Sequence, residues 1–227
     1  NNGLILIDAA AEFKMYSSDV TRTFPVSGKF TKVQKDVYTE VLNAQELGIK
    51  NVTTKKTMSD IHTSTVASIS QSLVDLGLVP MGVEETISMM HYFEFFMHGT
   101  GHWLGLDVHD AGTTEEKNKP RKLKPGMVTT IEPGIYIRPN KPEIEFKLLE
   151  RDPKKIRERR KSLGMEKATK LESEEMKDAK SINHKIPKDL LGIGIRIEDD
   201  IVCTENDPIN LTIGAPKTID DVEAICS

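Results

Sequence analysis

Four apolar, strand-like runs in this 227-residue chain each have a carboxylate at their edge. Asp8 follows LILI, Asp19 precedes VTRTF, Glu132 ends VTTIE and Glu198 follows IRI. An unpaired charge at such a position costs several kcal/mol. A single case is accounted for by a salt bridge. Four cases would need four separate partners, whereas one shared cation site accounts for all of them. The fold must then bring both ends of the chain to one centre.

Residues 97–110, MHGTGHWLGLDVHD, supply nitrogen ligands for such a centre. Three of the six histidines (His98, His102 and His109) and the sole tryptophan, Trp103, fall there. A core segment does not need three imidazoles, and a surface loop does not favour Trp, Leu and Val between them. Four carboxylates and one imidazole make an oxygen-rich set. It suits hard or borderline ions such as Mn²⁺ and is too oxygen-rich for a structural zinc site. The four negative charges balance two divalent ions.

The order of periodicities gives the fold class. GLILIDAAAEF and the run through Asp19 to Phe24 read as strands joined by a hairpin around Lys14 to Ser18. TKVQKDVYTEVLNAQELGI has helical spacing with Thr31 as N-cap. SDIHTSTVASISQSLVDLG repeats it, with Ser59 as cap and Gly77 as stop. A third helix is expected over 83–92. MVTTIEPGIYI and GIGIRIEDDIVCT are strand-like. Strands, helices, then strands predict an α+β domain with helices packed on an antiparallel sheet.

Composition excludes several classes. No run of 18 apolar residues is present, so no membrane span is expected. A net charge of −4 gives no support for nucleic-acid binding. Cys203 and Cys226 are far apart, which fits a reduced, intracellular protein. Charge is uneven: residues 141–190 hold 15 Lys/Arg and 11 Asp/Glu, or +4, which leaves −8 for the remainder. With Phe146 as its one aromatic residue, this segment reads as a solvated insertion, part helix and part disorder, or else as a docking arm.

Together DAAAEFKMYSSDVTRTFPVSGKF, HGTGHWLGLDVHD, TIEPGIY and GIRIEDD resemble aminopeptidase P, the Xaa-Pro aminopeptidases of the pita-bread metallopeptidase fold, in their bacterial and mitochondrial branch. The likeness covers the chain outside 141–190. It implies a two-metal site holding Mn²⁺, with Co²⁺, Fe²⁺ or Zn²⁺ as substitutes. By resemblance Asp8 and His102 each hold a different metal, Asp19 and Glu198 bridge both, and Glu132 joins His102 and relays the proton of the attacking water. His109 then lines the pocket near the scissile carbonyl and the proline, and His98 lies near the substrate backbone. Arg196, two residues before Glu198 on one strand face, orients the bridging carboxylates or balances their charge. Tyr136 holds the site or is simply a packed strand residue. His62 and His184 lie outside every motif and are expected at the surface. Ala10 stands where the family has Gly, which is tolerated unless φ is positive there.

The resemblance implies peptide substrates with N-terminal Xaa-Pro, a mitochondrial or cytoplasmic compartment, and a full-length protein that is open to homo-oligomerisation. Prolidase shares the ligands and a similar histidine stretch, so Xaa-Pro dipeptides are the alternative substrate. A pita-bread module that binds peptides without cleaving them is the second alternative, though this chain keeps all five ligands. Residues 1–227 read as a catalytic domain incomplete at its N-terminus. A sheet edge beside Asp8 and one wall of the proline pocket are expected to be missing, leaving weak activity. Shortening 141–190 is expected to leave the site intact, because loop length adds little closure cost.

Overall fold

A computed structural model describes residues 2–117 and 119–226. The chain opens with β1 (Leu4–Ala9) and a small hairpin, β2 (Glu12–Phe13) and β3 (Tyr16–Ser17), and returns along β4 (Val20–Pro25). β1 and β4 are antiparallel, with Asp8 opposite Thr21. The expected hairpin is thus present, but the strand from Gly3 to Phe13 is broken at Ala10. Lys14 and Met15 form its turn with φ of 51° and 70°. Two successive positive φ values match the right-handed twist of paired strands.

Two long helices follow, α1 (Lys32–Lys50) and α2 (Met58–Asp75). Thr31 caps α1 as expected, accepting from the Gln34 N–H while the Gln34 side chain accepts from the Thr31 N–H. The cap of α2 is Thr57 rather than Ser59. Its hydroxyl accepts from the Asp60 N–H and the Asp60 carboxylate accepts from the Thr57 N–H, a reciprocal pair that Ser59 cannot make. The third helix is shorter than expected. α3 (Val83–Ser88) ends before Met90, which takes a left-handed conformation at φ 57°, and a 3₁₀ turn over His91–Glu94 follows.

After the short hairpin of β5 (Glu115–Glu116) and β6 (Lys119–Pro120) come β7 (Val128–Ile131) and β8 (Gly134–Tyr136). Then β9 (Glu143–Lys147), α4 (Pro153–Leu163), α5 (Met165–Asp178) and β10 (Ser181–Lys185) span the charged segment. β11 (Gly194–Arg196), β12 (Asp199–Val202), β13 (Ile209–Asn210) and α6 (Ile219–Ile225) complete the chain. β11 pairs with β8, and β12 lies between β13 and β7, all antiparallel. The α+β class with helices over antiparallel strands is the observed one.

The main core lies where α1 and α2 meet the strands. Val37, Val41, Ile69, Leu73, Phe95, Ile135 and Ile195 are almost fully buried there. A second cluster of Val52, Ile61, Leu123, Ile131 and Ile201 packs under β7 and β12. No helix among the described residues is long and apolar enough to cross a membrane.

Residues 141–190 depart from the solvated insertion read from their charge. β9 and β10 pair antiparallel, and Ile144, Phe146, Ile186 and Leu190 join the main core. The few apolar residues alternate along β9, so one strand face is buried although the segment is charged overall. β10 is mostly exposed, and so is the α4–α5 hairpin. The hairpin closes on itself through Arg159–Glu175 (2.8 Å) and Arg160–Glu172 (2.8 Å).

One buried ion pair ties the chain ends together. Arg22 on β4 donates to Asp199 Oδ1 on β12 at 2.7 Å, and both are almost wholly buried. Asp199 also accepts from Gln45, Asn210, Thr212 and Lys217. Satisfying every lone pair is what makes a buried charge tolerable. Asp199→Ala should therefore cost about 3–5 kcal/mol, because it strands Arg22 and Lys217. Urea unfolding of the full-length protein measures this; a loss below about 1 kcal/mol would show that the network is not structural.

Candidate metal centre

Backbone pairing places the acidic and imidazole residues. The loop Thr100–His102 runs beside β7 like an added strand, with Thr130 N–H bonded to the His102 carbonyl (3.0 Å) and Glu132 N–H to the Thr100 carbonyl (2.8 Å). Gly101 permits this approach, since a Cβ there would overlap the Thr130 carbonyl. The pairing sets His102 Nε2 3.5 Å from Glu132 Oε1. On the other side, Glu198 N–H donates to the Thr21 carbonyl at 3.1 Å. That bond draws the β1–β4 hairpin, with Asp8 and Asp19, to the β11–β12 turn. Asp19 Oδ2 lies 3.5 Å from His102 Nε2.

Ligand atoms fall within 4.8 Å of one another in three overlapping groups: Asp8, Asp19 and Glu198; His102, Glu132 and Glu198; and Asp19, His102 and His109. Glu198 is shared by two groups, Asp19 by two and His102 by two. All five residues expected as ligands are thus brought together. His109 joins them, its ring 4.0 Å from that of His102, although the resemblance gave it a pocket-lining role. His98 stands just outside: Nδ1 is 3.9 Å from Glu132 Oε2, and Nε2 is 2.8 Å from the Tyr136 hydroxyl. Tyr136 in turn accepts from Arg196 (3.3 Å), which also bonds Thr21 and Asp8. A continuous chain of hydrogen bonds therefore runs His98, Tyr136, Arg196, Asp8 along one wall.

The cluster is electrostatically unsatisfied. Glu198 is almost completely buried. Its Oε2 accepts from Thr21 Oγ1 at 2.5 Å, but its Oε1 has no partner among the described residues. Burial, then the charge on Glu132, pushes the Glu198 carboxyl up to about 8. Burial also pushes Glu132 up to about 7, against the pull of Arg196. Asp19 is raised by burial and by neighbouring Asp8. Among the described residues Arg196 is the one Lys or Arg in contact with these groups. An orphaned carboxylate oxygen facing four other anionic or imidazole donors is what a divalent cation fits.

Two residues were missed by reading the sequence. Asp200 is buried, accepts from the Asp19 N–H at 3.1 Å, and is pushed by burial up to about 6. Its signal was the third acid in RIEDD. His62 is half-buried rather than at the surface, 2.9 Å from Thr100 Oγ1, and burial followed by the neighbouring His98 lowers its pKa. His184 is also half-buried, bonded to the Gly77 carbonyl at 2.8 Å, because β10 is packed rather than free.

Helices over antiparallel strands, with carboxylates and an imidazole converging at the strand ends, define a pita-bread fold with a metal-type centre. Residues 1–205 match the model of metallopeptidase family M24, and the chain belongs to that family. Xaa-Pro aminopeptidase of Haemophilus influenzae is 37% identical over 98% of this chain and 42% of that protein. Human Xaa-Pro aminopeptidase 3 is 33% identical over 99% of this chain and 35% of that protein. The chain thus spans about two-fifths of the length of such relatives. Aminopeptidase PepP of Pseudomonas aeruginosa superposes with a TM-score of 0.78 at 36% identity, over 100% of this chain and 42% of that one. Zinc-substituted Escherichia coli aminopeptidase P in complex with product gives 0.75 at 36%, over 98% and 41%.

The raised carboxyls set a pH dependence. Glu198 titrates near 8 in the folded chain against 4.5 ordinarily, so the metal-free fold holds a proton that the unfolded chain releases. Its stability contribution is full below about pH 4.5 and lost as pH rises through about 8. In chelator-treated full-length protein, Glu198→Gln should gain several degrees in Tm over wild type as pH rises through that window. Adding a divalent metal should reverse the order. A difference that stays flat with pH would contradict the assigned burial.

Proposed function

We propose that the chain is the metal-binding part of a dinuclear aminopeptidase that releases the N-terminal residue from peptides with proline in second position. The observation that carries this is the partnerless, buried Glu198 Oε1 at the centre of a carboxylate–imidazole cluster. Asp8, Asp19, His102, Glu132 and Glu198 would hold two divalent ions, with Asp19 and Glu198 shared between them. Mn²⁺ suits this oxygen-rich set; Co²⁺, Fe²⁺ and Zn²⁺ are substitutes. The likeness to Xaa-Pro aminopeptidases supports the Xaa-Pro specificity.

When bound, such a pair lowers the pKa of a water and polarises the scissile carbonyl. The residues of the chain do the rest. Glu132, 3.5 Å from His102 and grouped with the shared Glu198, accepts the proton of the attacking water. The amide nitrogen before proline carries no hydrogen, so the departing proline must receive one, and Glu132 is placed to return it. His98 is held by the Gly99 carbonyl (2.7 Å) and Tyr136, and burial keeps it neutral. In that state it lies beside the substrate backbone without repelling a cation. His109, exposed beside His102, contacts the carbonyl and proline side. Arg196 orients Asp8 and, through Thr21, Glu198.

The full-length protein should cleave Xaa-Pro-Xaa peptides with Mn²⁺ and leave Xaa-Ala-Xaa intact. Glu132→Gln should lower kcat at least about 10²-fold with the fold preserved. Turnover of Xaa-Pro dipeptides alone would make it a prolidase. Peptide binding without turnover would make it a binding module.

A further inference from the structure

A cavity of about 850 Å³ opens beside the centre. His98 and Gly99 form its inner end. Its floor is Val66 and Ala67 of α2 with Ile87, Tyr92, Phe93 and Met97 from the α3 region. Its outer wall is the start of the charged segment, from Glu150 to Arg157. The mechanism above uses none of these residues except His98 and the Gly99 carbonyl that holds it.

Three observations point to an occupant. Phe93 and Met97 are 48% and 42% exposed, so large apolar surface is left uncovered at the bottom of a concave site. Met90 holds a left-handed backbone that only a few per cent of non-glycine residues adopt, and it turns α3 into the segment that carries Tyr92 and Phe93. The outer wall is anchored rather than loose: Arg151 N–H donates to the Ser88 carbonyl at 2.6 Å, Arg157 pairs with Glu115 at 3.2 Å, and Asp152 caps α4 through the Lys154 N–H.

We propose that this cavity binds the residues that follow proline in the substrate, and that it favours bulky apolar side chains there. The inference rests on the aminopeptidase reading. Such an enzyme holds one residue upstream of the scissile bond and the rest of the peptide downstream. A pocket of this volume matches a ligand of several residues rather than one. His98 joins the two parts, since it lies 3.9 Å from Glu132 and also lines the cavity. The rim carries Glu150, Arg151, Asp152, Lys155 and Arg157, with both signs represented, so discrimination comes from the apolar floor. The start of α4 thereby becomes part of the wall that encloses the substrate. That departs from the expectation that shortening the charged segment leaves metal binding and peptidase activity nearly intact.

The test uses the full-length protein and the peptides Ala-Pro-Leu-Phe and Ala-Pro-Gly-Gly. Wild type should prefer the first in kcat/KM by at least tenfold. Ala67→Trp fills the floor from an exposed helix position, and Phe93→Ser removes an exposed part of that floor, so neither should unfold the protein. Each should reduce the preference to within threefold, mainly through KM. A preference unchanged in both variants, or absent in wild type, would overturn the proposal. If no Xaa-Pro peptide is cleaved, the aminopeptidase reading fails on its own, and fluorescence anisotropy of labelled Ala-Pro-Leu-Phe still decides. Binding that is weakened at least tenfold by Ala67→Trp supports the cavity; no binding, or equal binding, overturns it.

Discussion

Like charges held together out of water are the constraint on which the rest depends. Glu198 sits at the meeting point of two acidic groups, with one oxygen satisfied by Thr21 and the other facing Glu132, Asp8 and Asp19. Such a cluster is unstable unless it takes up protons or a cation. The surrounding structure is arranged to hold it regardless. The Thr21–Glu198 and Thr100–Glu132 backbone bonds fix the strands, and the Arg22–Asp199 pair locks the same strands from behind. The fold therefore stores its electrostatic cost at one place and covers it with a rigid, fully satisfied network next door.

Neighbouring residues of identical chemistry play opposite parts here. Asp199 and Asp200 are adjacent on β12, and alternation sends them to opposite faces. Asp199 finds Arg22 and Lys217, and its carboxyl is held below the usual range by Arg22 despite burial. Among the described residues Asp200 finds only the Asp19 N–H on its side, and burial pushes it upward. Environment, not residue type, separates the structural acid from the acid beside the cluster.

The sequence made the site more legible than the fold. Asp8, Asp19, His102, Glu132 and Glu198 stood out because a carboxylate at the edge of an apolar strand has few innocent explanations, and the structure does bring them together. His62 was illegible for the opposite reason: a histidine on an amphipathic helix gives no sign of which neighbour it meets, here Thr100 across a long sequence gap. The charged segment misled through its average. Ile144 and Phe146 alternate over only five residues of β9, too short a signal to outweigh 26 charges in 50 positions, yet pairing with β10 buries both. Ser59 was a reasonable cap by residue type, but the capping box needs an acceptor three residues on, and Thr57 with Asp60 has it.

The central claim is that the cluster is built around two shared cations. Metal content per chain of the full-length protein, after reconstitution with Mn²⁺ and removal of free ion, tests it directly. The account predicts about two ions in wild type and essentially none in Glu198→Ala or Asp19→Ala, since each is shared between the sites. Retention of one tightly held ion in both variants, or no more than one in wild type, would contradict it.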